Sequence, residues 1–188
     1  MKQTDPLIWK STMTTGAFLG LALIVYSIII YFIDFTKIDT LIFVIIGITP
    51  YIVITTGIVY GTKSYRNNYL NGSISYADAL KTGTYVVLFA GIIYSFYNYI
   101  FDSAIDPGYA QRNAQIIINK WAEMRQQQGV SAQQIASELK SMNPKDIPTA
   151  FESSIMGVLF YTFLGFIISL ITSAFLKKEN NSIITNSK

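Results

Sequence analysis

The chain has 188 residues, of which 51% are hydrophobic and 13% charged, with a formal net charge of +3 at pH 7. It contains no cysteine, which excludes disulfides, thiolate nucleophiles and cysteine-ligated metals. It contains no histidine either, which removes the commonest metal ligand and the commonest general base. We interpret the small positive charge as a guide to membrane topology and expect no binding to nucleic acid.

The hydrophobic residues are concentrated in four blocks that contain no Asp, Glu, Lys or Arg. The blocks cover approximately residues 12–33, 41–61, 82–101 and 154–176. An α-helix needs about 20 apolar residues to cross a hydrocarbon core of roughly 30 Å. Four buried core helices on so short a chain would leave no polar covering. We therefore expect an all-α integral membrane protein, a bundle of four transmembrane helices in a lipid bilayer.

Small residues recur within these blocks at helical spacings that let neighbouring helices approach closely. The residues assigned to helix packing on this basis are Gly16, Gly20, Gly57, Gly61, Gly83, Gly91, Gly157, Gly165 and Ser169. The second block also contains Pro50, which removes one backbone hydrogen bond and predicts a kink near residues 46–50.

The flanks of the blocks carry residues typical of the membrane–water interface. Residues 1–11 are expected to form a short polar tail, with Trp9 at the level of the lipid headgroups. Tyrosines and basic residues between the second and third blocks predict an interfacial belt, with recognition of an anionic headgroup as the alternative. The candidate contacts to a headgroup or to a partner are Lys63, Tyr65, Arg66 and Trp121.

The third span is expected to begin at a capped helix end. Ser75 and Asp78 have the spacing of a capping box in its Asp form, so a helix starts there and continues through Lys81 and Gly83. Near the other end of this span, Asn98 is placed either to hydrogen-bond across helices or to lie at the interface beside its tyrosine neighbours.

The long polar loop at residues 102–153 is predicted to hold a short helical hairpin outside the membrane, at approximately 109–143. Its first helix, at about 110–128, has apolar residues at helical spacing and ends at Gly129. Ser131 caps the second helix. The tail at 179–188 is polar and is expected to be disordered.

The distribution of charge predicts the orientation in the membrane. Four spans place both termini and the turn between the second and third spans on one side. That side carries eight of the 14 Lys and Arg residues but only three of the 11 acidic residues. Positive residues near span ends favour the cytoplasmic side. We therefore expect both termini to be cytoplasmic and the loop at 102–153 to lie outside.

Candidate catalytic residues are few. Asp102 and Asp106 are close together and could act as paired carboxylates in acid–base chemistry or bind a divalent cation. The favoured interpretation is a helix end and a turn, because Asp before Pro107 is typical of turns. No nucleotide, hydrolase or zinc motif occurs, so we expect no catalytic, cofactor or metal site and no enzymatic activity.

Four segments of the chain resemble the DUF4199 family, small four-span membrane proteins found chiefly in Bacteroidota. They are Lys63-Ser-Tyr-Arg66, the run from Asn71 to Gly83, Tyr97-Asn98-Tyr99-Ile100 and Ile105-Asp106-Pro107. The residues that carry the pattern are Ser75, Asp78, Lys81, Gly83, Asn98, Asp106 and Pro107. Tyr76 and Asp78 depart from the family's commoner residues. The resemblance implies a Gram-negative inner membrane and a periplasmic loop, and the family has no assigned activity.

The first functional hypothesis is a non-enzymatic inner-membrane accessory or scaffold subunit of a cell-envelope complex, with membrane-protein partners. The alternative is a subunit of a small-molecule or lipid transporter or channel, assembled as a homo-oligomer through its small-residue faces. The third hypothesis is a membrane enzyme that uses Asp102 and Asp106.

Overall fold

The computed structural model describes residues 5–141 and 148–178, which form six α-helices and one π-helical turn. The helices are α1 (Asp5–Tyr31), α2 (Thr40–Tyr69), α3 (Tyr76–Ile100), α4 (Tyr109–Gln127), α5 (Ala132–Ser141) and α6 (Ala150–Leu176). The π-helical turn, Phe101–Ile105, continues α3. The predicted end of the hairpin after Ser141 and the predicted disordered tail at 179–188 lie outside the described residues.

Four of these helices are long and apolar enough to cross a membrane: α1, α2, α3 with its π-helical turn, and α6. The prediction of an all-α membrane bundle is confirmed. Several helices extend beyond the uncharged blocks, since α2 continues to Tyr69 and α3 already begins at Tyr76. A charged residue marks where a helix leaves the hydrocarbon, whereas the backbone hydrogen bonds continue into the interface.

The polar tail expected at residues 1–11 is a misprediction over its described part, because α1 begins at Asp5. The cause is tertiary packing. Ile8 is only 6% exposed. The ring of Trp9 stacks on Tyr85 at 5.1 Å between centroids and meets the edge of Phe89 at 5.2 Å. These contacts with α3 hold the first turns of α1 in a helix.

Helix α3 is the centre of the bundle and packs against α1, α2 and α6. Its contact with α1 is close at Gly16 and Gly20, where a Cβ atom on Gly16 would lie 2.6 Å from the Cβ of Phe89. Gly57 of α2 lies against α1, and Gly61 of α2 lies between α1 and α3. Four of the predicted packing glycines therefore lie where α1, α2 and α3 meet.

The contact between α3 and α6 holds the other predicted packing residues: Gly83, Gly91, Gly157, Gly165 and Ser169. The side chain of Ser169 lies directly against Gly83, and a Cβ atom on Gly165 would lie 2.5 Å from the Cβ of Val87. The small-residue faces are therefore occupied inside one chain. A homo-oligomer would need a different surface from the one expected from the sequence.

A hydrogen bond from α1 compensates for the proline in α2. Pro50 lies inside the helix and has no N–H group, so the carbonyl of Ile46, four residues earlier, loses its normal donor. The hydroxyl of Tyr26 donates to this carbonyl at 2.5 Å. A membrane offers no water to satisfy a freed carbonyl, and a neighbouring helix can supply the donor instead. The carbonyl that Pro50 leaves without a backbone donor in α2 is therefore hydrogen-bonded by Tyr26 of α1.

The end of the bundle nearest the termini is fixed by backbone contacts. Ser75 caps α3, its hydroxyl oxygen accepting from the Asp78 N–H at 3.1 Å. Just before it, Ile74 forms an antiparallel bridge with Lys178, and each backbone N–H donates to the other's carbonyl at 2.8 and 3.0 Å. The Arg66 guanidinium also donates to the carbonyl of Leu176 at 3.4 Å. The turn between α2 and α3 is thereby attached to the end of α6.

The Tyr26–Pro50 pair predicts a specific dependence between two substitutions. Tyr26→Phe removes the donor and should destabilise the bundle by about 1 kcal/mol, measured as a change in unfolding free energy in detergent. In a Pro50→Ala background the same substitution should have little effect, because the introduced alanine restores an N–H group for the Ile46 carbonyl.

Tyr60→Phe is the matched control, since Tyr60 is 67% exposed on the same helix as Pro50. It should leave stability unchanged. If Tyr26→Phe lowered the unfolding free energy equally in the natural chain and in the Pro50→Ala background, the link between Tyr26 and Pro50 would be contradicted.

Candidate functional site

A cavity of about 400 Å³ lies at the end of the bundle that carries α4, between α1, α3, the π-helical turn and α4. Its polar lining residues are Tyr26, Ser27, Tyr94, Asn98, Asp102, Tyr109 and Asn113. Its apolar lining residues are Ile30, Phe101, Ala110, Ala114 and Ile117. This polar cavity is our candidate functional site, because it brings amide, hydroxyl and carboxylate groups together within and beside membrane-spanning helices.

Regular spacing on two helices produces this lining. Tyr94, Asn98 and Asp102 follow one another at intervals of four along α3 and the π-helical turn, so they lie on one helix face. Tyr109 and Asn113 have the same spacing on α4. Of these residues, only Asn98 and Asp102 were predicted from the sequence as candidates. The repeated interval of four among polar residues was the available signal for the others.

The π-helical turn ends α3 and directs the chain into α4. Its closing hydrogen bond runs from the Asp106 N–H to the Phe101 carbonyl at 2.8 Å. Single π-helical turns inside α-helices are frequent at functional sites. Phe101 is buried, and its ring contacts the rings of Tyr31 and Tyr109 at 5.1 and 5.3 Å between centroids. This aromatic cluster forms one wall beside the cavity.

Asp106 attaches the start of α4 to the bundle. Its carboxylate pairs with the Arg112 guanidinium and accepts a hydrogen bond from the Tyr31 hydroxyl of α1 at 3.2 Å. The hydrogen bond from Arg112 lowers the pKa of Asp106 below its usual value, and Tyr31 adds to this effect. Burial raises the pKa of Tyr109, so its hydroxyl stays protonated. The carboxylate, and with it the attachment, is lost only as the pH falls through the lowered pKa.

A second attachment lies further along α4. Lys120 is 6% exposed, and its ammonium group donates to the Ile38 carbonyl at 3.1 Å and to the Glu123 carboxylate at 2.8 Å. Ile38 belongs to the turn between α1 and α2, so α4 is held at two separate points on the bundle. Helix α5 is joined to α4 by the ion pair of Arg125 with Glu138 at 2.9 Å.

The two carboxylates considered as a catalytic pair have different surroundings. Asp106 is engaged with Arg112 and Tyr31, whereas Asp102 lines the cavity. Asp102 makes no hydrogen bond or ion pair with any residue in 5–141 or 148–178. Across the same residues, no three acidic side chains are grouped to hold a metal ion. Asp106 is therefore engaged in an ion pair and a hydrogen bond that Asp102 does not share.

Tyr65 is misassigned as a contact to headgroups or partners. It is 1% exposed, within a buried cluster that includes Ile8, Ile74 and Ala79. The error arises because the tyrosine belt was assigned by sequence position, whereas α2 continues as a helix and turns this side chain inward. Its neighbour Lys63 is exposed.

The remaining candidate residues lie at both ends of the bundle. Lys81 is exposed on α3 near its capped start, and Pro107 is exposed at the turn into α4. Trp121 is half-buried on α4, with the Arg125 guanidinium 5.7 Å from its ring centroid. Arg66, which contacts Leu176, serves the packing of the chain itself.

The attachment of α4 can be tested with Arg112→Gln. Loss of the ion pair with Asp106 should accelerate amide hydrogen exchange in residues 109–116 by about two- to fivefold, the effect expected for one exposed ion pair. The matched control is Lys37→Gln, which removes the exposed pair of Lys37 with Asp34 at the same end of the molecule. Lys37→Gln should leave the amide hydrogen exchange of α4 unchanged. Equal exchange rates in residues 109–116 of the two variants would contradict the role of Asp106 in attaching α4.

Comparison with known proteins assigns the chain to one family. No curated protein and no solved structure matches the chain significantly. The family described as "Protein of unknown function (DUF4199)" matches residues 14–178, which include most of α1, all of α2 to α5 and all of α6. The match covers the interhelical glycines, the capped start of α3 and the cavity. The chain is thus a multi-pass membrane protein that belongs to the DUF4199 family.

Proposed function

We propose that this protein is a non-enzymatic accessory or scaffold subunit of a cell-envelope complex in the bacterial inner membrane. The single observation that carries the proposal is the double attachment of α4. The hydrogen bond from Tyr31 to the Asp106–Arg112 pair and the hydrogen bond from Lys120 to the Ile38 carbonyl hold an extramembrane helix against the bundle. A helical hairpin presented in this way is a defined surface for a membrane-protein partner.

The packed interior supports this role over transport through a single chain. On α1 and α3, the lining residues nearest the end of the bundle that carries the termini are Tyr26 and Tyr94. One helical turn closer to the termini, Leu23 and Ala90 are 2% and 0% exposed, and they belong to a continuous apolar core. A solute that entered the cavity would meet this core, so a pathway across the membrane would need a second subunit.

For the orientation, we propose cytoplasmic termini and a periplasmic loop at 102–153. The support is the excess of Lys and Arg on the side of the termini. The chain has no cysteine, so single cysteines report without background. In intact spheroplasts an impermeant thiol reagent should label Ser131→Cys and leave Ser182→Cys unlabelled. Labelling of Ser182→Cys alone would reverse the proposed orientation.

Site-specific photo-cross-linking in the native host tests the scaffold role. A photoreactive residue at Gln133, exposed on α5, should give one discrete product with an envelope protein of constant mass. The matched control is Phe163, 65% exposed on the apolar face of α6, where lipid contact should give no discrete product. Cross-linking only between copies of this chain at Gln133 would contradict the scaffold proposal.

One observation favours the alternative, a transporter or channel subunit that acts as a homo-oligomer. The polar cavity places Asn98 and Asp102 within a membrane-spanning segment, as binding sites of transporters do. An oligomer would have to form through surfaces other than the small-residue faces, which are already occupied within the chain.

The enzyme hypothesis makes a separate prediction: an Asp102→Asn/Asp106→Asn double variant that keeps full cellular function would contradict it.

A further inference from the structure

The charge of Asp102 is unbalanced in its surroundings. Asp102 is half-buried in the cavity wall, and no Lys or Arg is among the described residues that line the cavity. The guanidinium of Arg112 on α4 is paired with Asp106. A carboxylate held at the end of a membrane-spanning segment without a partner is unfavourable. A positively charged occupant of the cavity would pair with this carboxyl group and favour its ionised form.

The rest of the lining indicates which kind of cation would fit. Tyr26, Tyr94 and Tyr109 contribute aromatic rings, and aromatic faces attract ammonium groups by cation–π interaction. The side-chain amides of Asn98 and Asn113 offer carbonyl oxygens to ammonium N–H groups. A bare metal ion would instead need more oxygen ligands than the one carboxylate and two side-chain amides of the lining supply, and it would leave the three aromatic rings unused.

The size and position of the cavity limit the ligand further. A volume of about 400 Å³ is at the small end of the range for ligand sites, which is roughly 300–1,000 Å³. The cavity lies where α3 ends and α4 begins, between a membrane-spanning helix and an extramembrane one. An ammonium group could reach it on a soluble amine or on the headgroup of a lipid.

We propose that this cavity is a binding site for an organic ammonium group, with Asp102 as the counter-ion and the three tyrosines as its aromatic walls. Asn98 and Asn113 orient the ligand through hydrogen bonds. The site goes beyond the scaffold role, and it stands or fails separately from it, because its test needs no partner protein.

The first experiment measures binding of soluble amines to the full chain. The protein is placed in nanodiscs of phosphatidylglycerol, a lipid without an ammonium group, and titrated calorimetrically with ethanolamine and choline, with glycerol as the neutral control. Both cations should bind, ethanolamine more tightly because choline has no N–H group to donate to Asn98 and Asn113, and glycerol should not bind. Asp102→Asn should weaken amine binding by about tenfold or more, the effect of losing the counter-ion.

Two further variants separate the site from general effects of charge and folding. Asp34→Asn is the matched control, since Asp34 is exposed at the same end of the molecule and paired with Lys37. It should bind amines as the natural chain does. Asn113→Lys places a cation in the same cavity as Asp102 and should abolish binding without removing any carboxylate, so the test does not depend on one variant.

The second experiment identifies the source of the ammonium group. In nanodiscs of mixed phosphatidylethanolamine and phosphatidylglycerol, native mass spectrometry counts the lipids that stay bound. Retention of phosphatidylethanolamine that ethanolamine displaces and Asp102→Asn abolishes would identify a lipid headgroup. Amine binding without such retention would identify a soluble amine. The proposal would be overturned if neither amine binding nor phosphatidylethanolamine retention were observed, or if the natural chain and Asp102→Asn bound amines equally.

Discussion

The close approach of α3 and α6 is the constraint on which the rest of the bundle depends. Lipid tails are as apolar as leucine, so spanning helices associate through packing and hydrogen bonds and not through the hydrophobic effect. The contact of Gly83 with Ser169, and of Gly165 with Val87, leaves no room for an added carbon. This contact places the end of α6 where Lys178 can pair with Ile74 and so fixes the turn between α2 and α3.

Two backbone carbonyls that lack a donor within their own segment obtain one from the side chain of another helix, which supplies the partner that water cannot supply in a membrane. Tyr26 satisfies the carbonyl that Pro50 frees, and Lys120 satisfies the carbonyl of Ile38. Asp102, in the cavity under α4, has no such partner among the described residues. Ionisable groups within membrane-spanning segments concentrate at functional sites, which supports the proposed ammonium site there.

The four spans and the close helix contacts could be predicted from the sequence, because block length and small-residue spacing act locally. The cap at Ser75 was accessible for the same reason. The burial of Tyr65 and the helical start of α1 could not be predicted, since both depend on contacts with residues distant in the chain. The capping box of Thr149 and Glu152 at the start of α6 is a local signal of the same kind, and it was not among the predictions. The Tyr26–Pro50 pair required knowing which helix faces α2.

The most direct test of the proposed subunit role is the mass of the intact assembly released from native membranes in a mild detergent. One chain weighs 21.1 kDa, so native mass spectrometry distinguishes self-association from a mixed complex. The scaffold account predicts a species that contains this chain and a different envelope protein in fixed stoichiometry. A series made only of multiples of the single-chain mass would contradict it and favour a homo-oligomeric transporter or channel.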